Sequence, residues 1–143
     1  MNLFLVKIKY LTTTERGLKK IVSSLYLFDA LSFTEAESKA VEEFSALIND
    51  SFVVTEIKKA HYAELITTIH TSADKYYNCK VNYITLDEKS GAEKKTPAQI
   101  LVQAESTDDA SARLTQAMKG SMADYQVASI VETKIMDYFP HKA

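Results

Sequence analysis

Three pairs of neighbouring lysines are this chain's clearest means of holding something. Lys19 and Lys20 follow Arg16, Lys58 and Lys59 come further on, and Lys94 and Lys95 repeat the setting of the first pair in the second half. Paired ammonium groups suit a small anion, whose charge they offset while their amines donate hydrogen bonds. Tyr10 and Tyr83 hold corresponding places in the two halves and would supply flat faces for a base to stack on. The expected ligand site is therefore Arg16, Lys19, Lys20, Lys58, Lys59, Lys94, Lys95, Tyr10 and Tyr83, taking a small anionic nucleotide. The same residues have a plainer use. Lysines at the start of strands keep sheet edges soluble, and tyrosines alternating along strands, Tyr26, Tyr76 and Tyr77 included, pair across strands or enter a core.

Catalysis asks for more than charge. A nucleophile, a base and an orienting group must converge, and the chain has no Gly-rich phosphate loop, no His-x-x-x-His or His-Glu-x-x-His and no nucleophile elbow. His61, His70 and His141 are spaced for no metal. The neighbouring acids Glu42 with Glu43, Asp87 with Glu88, and Asp108 with Asp109 read as solvated or dipole-facing groups. Cys79 is the single cysteine, so no internal disulfide forms, and its apolar surroundings make it a core thiol. The chain is expected to be no enzyme and to need no cofactor.

Bulk composition narrows the partners. With 17 Lys and Arg against 19 Asp and Glu, the net charge of −2 provides no global field for duplex nucleic acid. The chain has 143 residues, 46% hydrophobic and 25% charged, enough for an ordinary soluble core. No window approaches the ~20 apolar residues that cross a bilayer, and Lys7 and Lys9 interrupt the first apolar run. A cytoplasmic protein is expected.

The elements that must carry these groups are written twice. Leu3 to Leu11 alternates with period two, Phe4, Val6, Ile8 and Tyr10 opposing Lys7 and Lys9. Tyr77 to Leu86 repeats it, for setting Tyr10 on Tyr83, 73 positions on, also aligns Lys7 with Lys80, Thr12 with Thr85 and Glu15 with Glu88. Hairpins over Thr12 to Gly17 and Asp87 to Gly91 lead into second strands over Lys20 to Asp29 and Thr96 to Ala104, the latter with Pro97 at its start.

A helix follows in each half. Thr34 with Glu37 fits a capping box ahead of an apolar stripe of Ala36, Ala40, Phe44, Leu47 and Ile48. The second helix starts at Ser106 or Thr107, turns Ala110, Leu114, Ala117, Met118 and Met122 inward, and weakens at Gly120. Third strands run over Phe52 to Ala60 and Tyr125 to Ile135, while Tyr62 to Ile69 either extends a strand or forms a short helix.

The predicted fold class is α+β, a tandem β-β-α-β repeat with two three-stranded antiparallel sheets, about six strands and two helices, related by a pseudo-twofold. The first repeat covers 1–66, a linker 67–75, the second repeat 76–139 and a frayed tail 140–143, with the repeats packed as one domain. Apolar residues left open on the strands' second faces, such as Leu25 and Leu27, would drive a homo-oligomer.

The Glu15-Arg16-Gly17 hairpin, the Phe28-to-Glu37 junction and the Tyr125-to-Phe139 ending with Glu132-Thr133-Lys134-Ile135 resemble an uncharacterised family of small bacterial and phage proteins over nearly the whole chain. The resemblance implies a small cytosolic protein of bacterial genomes or their mobile elements, and transfers no active site. It favours a phage-associated protein that sequesters a nucleotide-type immune signal in an anti-defence role. The alternative is a nucleic-acid-binding or structural accessory protein.

Overall fold

Alternation along the strands decides which face each side chain takes, and the helices cover one face of each sheet. A computed structural model describes residues 2–48 and 51–141. The strands are β1 (Leu3–Thr13), β2 (Lys19–Asp29), β3 (Phe52–Ala60), β4 (Glu64–Ile66), β5 (Lys75–Leu86), β6 (Glu93–Ala104), β7 (Asp124–Glu132) and β8 (Ile135–Phe139), with helices α1 (Phe33–Leu47) and α2 (Thr107–Met118). They form two compact units, residues 1–60 with 134–143, and residues 61–133.

Each unit holds a four-stranded mixed sheet, in the orders β3-β1-β2-β8 and β4-β6-β5-β7. The expected three-stranded antiparallel sheets are therefore corrected. Each antiparallel trio gains a fourth, parallel strand, β8 beside β2 and β4 beside β6. The segment Tyr62 to Ile69 contains β4, and the expected strand Tyr125 to Ile135 is two, since Thr133 breaks it by donating its amide and hydroxyl to the Tyr76 carbonyl at 2.8 and 2.7 Å. Residues 61–66 and 134–139 thus each serve the sheet of the other half of the sequence. The antiparallel registers follow the internal offset closely: β1 meets β3 with a bulge at Lys7/Ile8, and β5 meets β7 with one at Lys80/Val81.

In the first unit Phe4, Val6 and Ile8 pack under Ala36, Ala40 and Phe44 of α1. Aromatic rings fill this core. Phe139 of β8 stacks on Phe28 at 4.6 Å and 16°, and Tyr26 lies 4.6 Å from Phe44. In the second unit Cys79, Val81, Ile100 and Val102 pack under Ala110, Leu114 and Met118 of α2. The helix stripes are shorter than expected, because Leu47 and Met122 are exposed. Leu27, the candidate open residue of the second face, is fully buried and Leu25 half-buried, whereas Ile21 and Val53 on the same face are exposed.

Capping also differs in detail. Ser32, two residues before Thr34, caps α1 by accepting the Glu35 amide at 3.1 Å, and Ser106 caps α2 by accepting the Asp109 amide at 3.1 Å. The third helical position then reaches back, Glu35 to the Leu31 amide and Asp109 to that of Glu105. Glu35 also pairs with Lys39 and Asp109 with Arg113, one helical turn on. At the expected frayed tail His141 lies 3.1 Å from Glu35, while Lys142 and Ala143 fall outside the described residues.

Two outcomes follow from this packing. Phe139→Ala should cost about 2–3 kcal/mol in urea unfolding, less than a fully buried ring because Phe139 is half-buried, whereas Met136→Ala on the same strand should stay within about 0.5 kcal/mol. Equal effects would mean β8 does not close the first core. The hydrogen bond from Lys39 holds Glu35 below the usual carboxylate range, and that from Arg113 does so for Asp109. Their stabilisation is complete above the unfolded carboxyl pKa of about 4 and disappears as pH falls through the depressed folded values. Stability should therefore drop on acidification below about pH 4, and Asp109→Asn should flatten that limb of a stability-against-pH curve.

Candidate ligand site

On β5 buried Cys79 and Val81 point to α2, which places the alternate residues Lys80 and Asn82 on the opposite face. Register sets Gln99 across from Lys80 and Pro97 across from Asn82 on β6. The Gln99 carbonyl takes the Ala63 amide at 2.8 Å, so the main-chain groups of Gln99 point away from β5. Pro97, two residues back, has the same parity, and its missing amide faces an edge that β4 does not reach. This is why a proline is tolerated inside β6 rather than at its start.

The bulge opposite Lys80/Val81 leaves Ala128 of β7 outside the ladder, between Val127 and Ser129. Bulges commonly redirect side chains in this way. Together with His61 and Ala63, which lead into β4, these residues line a cavity of about 490 Å³, within the size range of small-molecule sites. Its floor is small and apolar: Ala63, Pro97, Ala98 and Ala128. Its polar groups are the Lys80 ammonium, the His61 imidazole and the Asn82 and Gln99 amides.

Asn78 sits beside this set. Its Nδ2 donates to Gln99 Oε1 at 2.9 Å, which orients the Gln99 amide with its NH2 as the remaining donor. Asn78 Oδ1 is buried without a hydrogen-bond partner among the described residues, a vacancy that costs on the order of 1–3 kcal/mol. One cation, one imidazole and two amides over an apolar floor can hold an anion and hydrogen-bond a heterocycle. The lining includes no carboxylate, hydroxyl or thiol.

Within the first unit the structure does not gather the two lysine pairs. Lys20 is level with Thr12 and Lys59 with Phe4, eight residues apart along β1, or about 26 Å. Arg16, Lys19 and Lys20 lie at or beside the first hairpin, and Lys58 is engaged by Glu56 at 2.9 Å on the edge strand. Lys94 and Lys95 belong to the second unit, level with Thr85 and Ile84. Tyr10 and Tyr83 pack against the two helix-side cores, which removes them as open stacking platforms. Burial raises the Cys79 thiol pKa, away from nucleophilic character.

A family model matches residues 2–141 of the chain. The chain belongs to that family, a domain of unknown function (DUF4494). No curated protein and no solved structure matches it. No helix among the described residues is long and apolar enough to cross a membrane. For this DUF4494 chain the cavity therefore has to be read from its own residues.

His61, Lys80, Asn82 and Gln99 were absent from the expected site, although the sequence carried a signal for two of them, Asn82 and Gln99. The paired positions Lys7–Leu25 and Lys9–Ser23 of the first unit become Lys80–Gln99 and Asn82–Pro97 in the second. Departure from an otherwise faithful repeat marks positions that packing does not dictate. Pro97→Ala should leave stability within about 0.5 kcal/mol, because the amide it restores faces an open edge. A loss of several kcal/mol in urea unfolding would mean that this edge is covered.

Proposed function

We propose that this protein binds a small anionic ligand of nucleotide type in the cavity of its second unit, and holds it without turning it over. The observation that carries the reading is the convergence of Lys80, His61, Asn82 and Gln99 on one cavity of about 490 Å³. Lys80 offsets the negative charge, His61 and the amides fix orientation, and the alanines and Pro97 take the flat apolar part. Holding rather than reacting fits a cavity whose lining, among the described residues, sets no carboxylate, hydroxyl or thiol beside His61. Sequestration of a nucleotide-type signal, in the phage-associated role implied by the family resemblance, is the biological form of this reading.

The first unit lacks the equivalent set, with Leu25 and Ser23 where the second has Gln99 and Pro97. One ligand per chain is expected. Isothermal titration with cyclic dinucleotides and with ADP-ribose should give heat at a stoichiometry of one. Lys80→Ala should weaken it roughly 10- to 100-fold through loss of a charge-assisted hydrogen bond, and Lys94→Ala/Lys95→Ala should leave it unchanged. No heat with either ligand class at high micromolar protein, or binding lost with Lys94 and Lys95 rather than with Lys80, would remove the reading.

A further inference from the structure

Charge in the first unit is segregated by face. By register Lys7, Lys9, Lys19 and Lys58 share the face away from α1 with the acids Asp29 and Glu56, while Arg16 lies in the first hairpin and Lys20, level with Thr12, takes the α1 side; α1 itself carries four carboxylates against Lys39. A chain of net charge −2 therefore hides a basic strand surface behind an acidic helix.

The register shows how that surface is built. Phe4, Val6 and Ile8 point to α1, so Lys7 and Lys9 take the other face of the sheet, and Lys19, level with Thr13, joins them. At 3.3–3.4 Å per residue Lys7 and Lys9 are about 7 Å apart along the strand, and the level of Lys19 is about 13 Å beyond Lys9. Glu56 is the one acid of β3 and is level with Lys7, but Lys58 engages it at 2.9 Å. Among the described residues no ion pair engages Lys9, Arg16, Lys19 or Lys20. Ile21 and Val53, level with Leu11 and Lys9, place exposed apolar surface between the cations.

We propose that this strand face of the first unit docks the phosphodiester backbone of a nucleic acid without reading its sequence. Cations repeating along one face of an extended strand suit a line of phosphates, whose counterions they release. The aromatic residues of β1, β2 and β3, Phe4, Tyr10, Tyr26, Phe28 and Phe52, all lie on the α1 side. The ring on the strand face is that of half-buried Tyr138 on β8, level with Leu27, so along β1, β2 and β3 no ring is offered for base stacking and contacts there are confined to the backbone. This surface shares no residue with the cavity of the second unit.

The test is fluorescence anisotropy with a labelled oligothymidine, a mixed-sequence single strand of equal length and the corresponding duplex, each through a salt series. Binding should be indifferent to sequence, with affinity falling linearly in log–log form as salt rises. Lys9→Ala/Lys19→Ala should weaken binding at least 10-fold at low salt and reduce the slope by about 1.4 on a single strand or about 1.8 on a duplex. The relative strength of the two arms then says which form of backbone is preferred. Urea unfolding confirms that the variant is folded, since both side chains are exposed. No binding to any oligonucleotide at about 50 mM salt, or binding undiminished in the double variant, overturns the proposal. So does a preference for one sequence, or binding to phosphatidylserine vesicles in place of oligonucleotides.

Discussion

The outer edge of β2 is the constraint on which the first unit rests. With β1 central and β3 on one side, β2 would present a row of unpaired amides and carbonyls and leave Phe28 with one flank bare. β8 answers both needs at once, pairing in parallel at Leu25, Leu27 and Phe28 and laying Phe139 on the Phe28 ring. Parallel strands cannot be joined by a tight hairpin, so the strand that fills this edge has to come from elsewhere in the sequence. The same requirement holds at β6, where β4 pairs at Ile100, Leu101 and Val102 and Ile66 packs against the core.

This explains what was legible in the sequence and what was not. The alternation in β1 and β5, the two helices and the registers of the hairpins are local, and the residues state them plainly. Ser106 was readable as a cap. Ser32 was not distinguished from Thr34, because either hydroxyl precedes an acid at the right interval. β4 and β8 escaped because three- and five-residue strands carry too little periodicity to stand out, and because their partners lie far away in the chain. The lysine pairs were conspicuous as sequence, but the two of the first unit are spread by about 26 Å along one sheet and Lys94 with Lys95 belong to the other sheet. Lys80 looked like one more polar residue in an alternation. What set it apart was its neighbours, Gln99 and the bulged Ala128, which only the register brings beside it.

Two copies of one strand plan have been filled with different chemistry. The first unit packs with the phenylalanines Phe28, Phe44 and Phe139 and puts lysines on the face away from its helix; the second packs with Tyr77, Val102, Met118 and Ile66, and puts Lys80 with the amides of Asn82 and Gln99 there. Because backbone pairing fixes the positions, a change such as Leu25 against Gln99 alters what a face can bind without altering how the strand is held. The two similar strand plans thus carry different side chains on the face away from the helix, lysines in the first unit and the lining of a cavity in the second.

The exchange of β4 and β8 also orders events in time. During synthesis the first unit can form its trio and α1 early, but its fourth strand is made only after residues 61–133 have been translated. The second unit has all its strands by then, because β4 precedes β5 in the chain. The half encoded second is therefore the first to be finished, and the half encoded first waits with Phe28 incompletely covered, in the slow regime of distant contacts. A chain cut short before Ile135 would lack the strand that pairs with Leu25, Leu27 and Phe28, and would keep that edge of β2 unpaired.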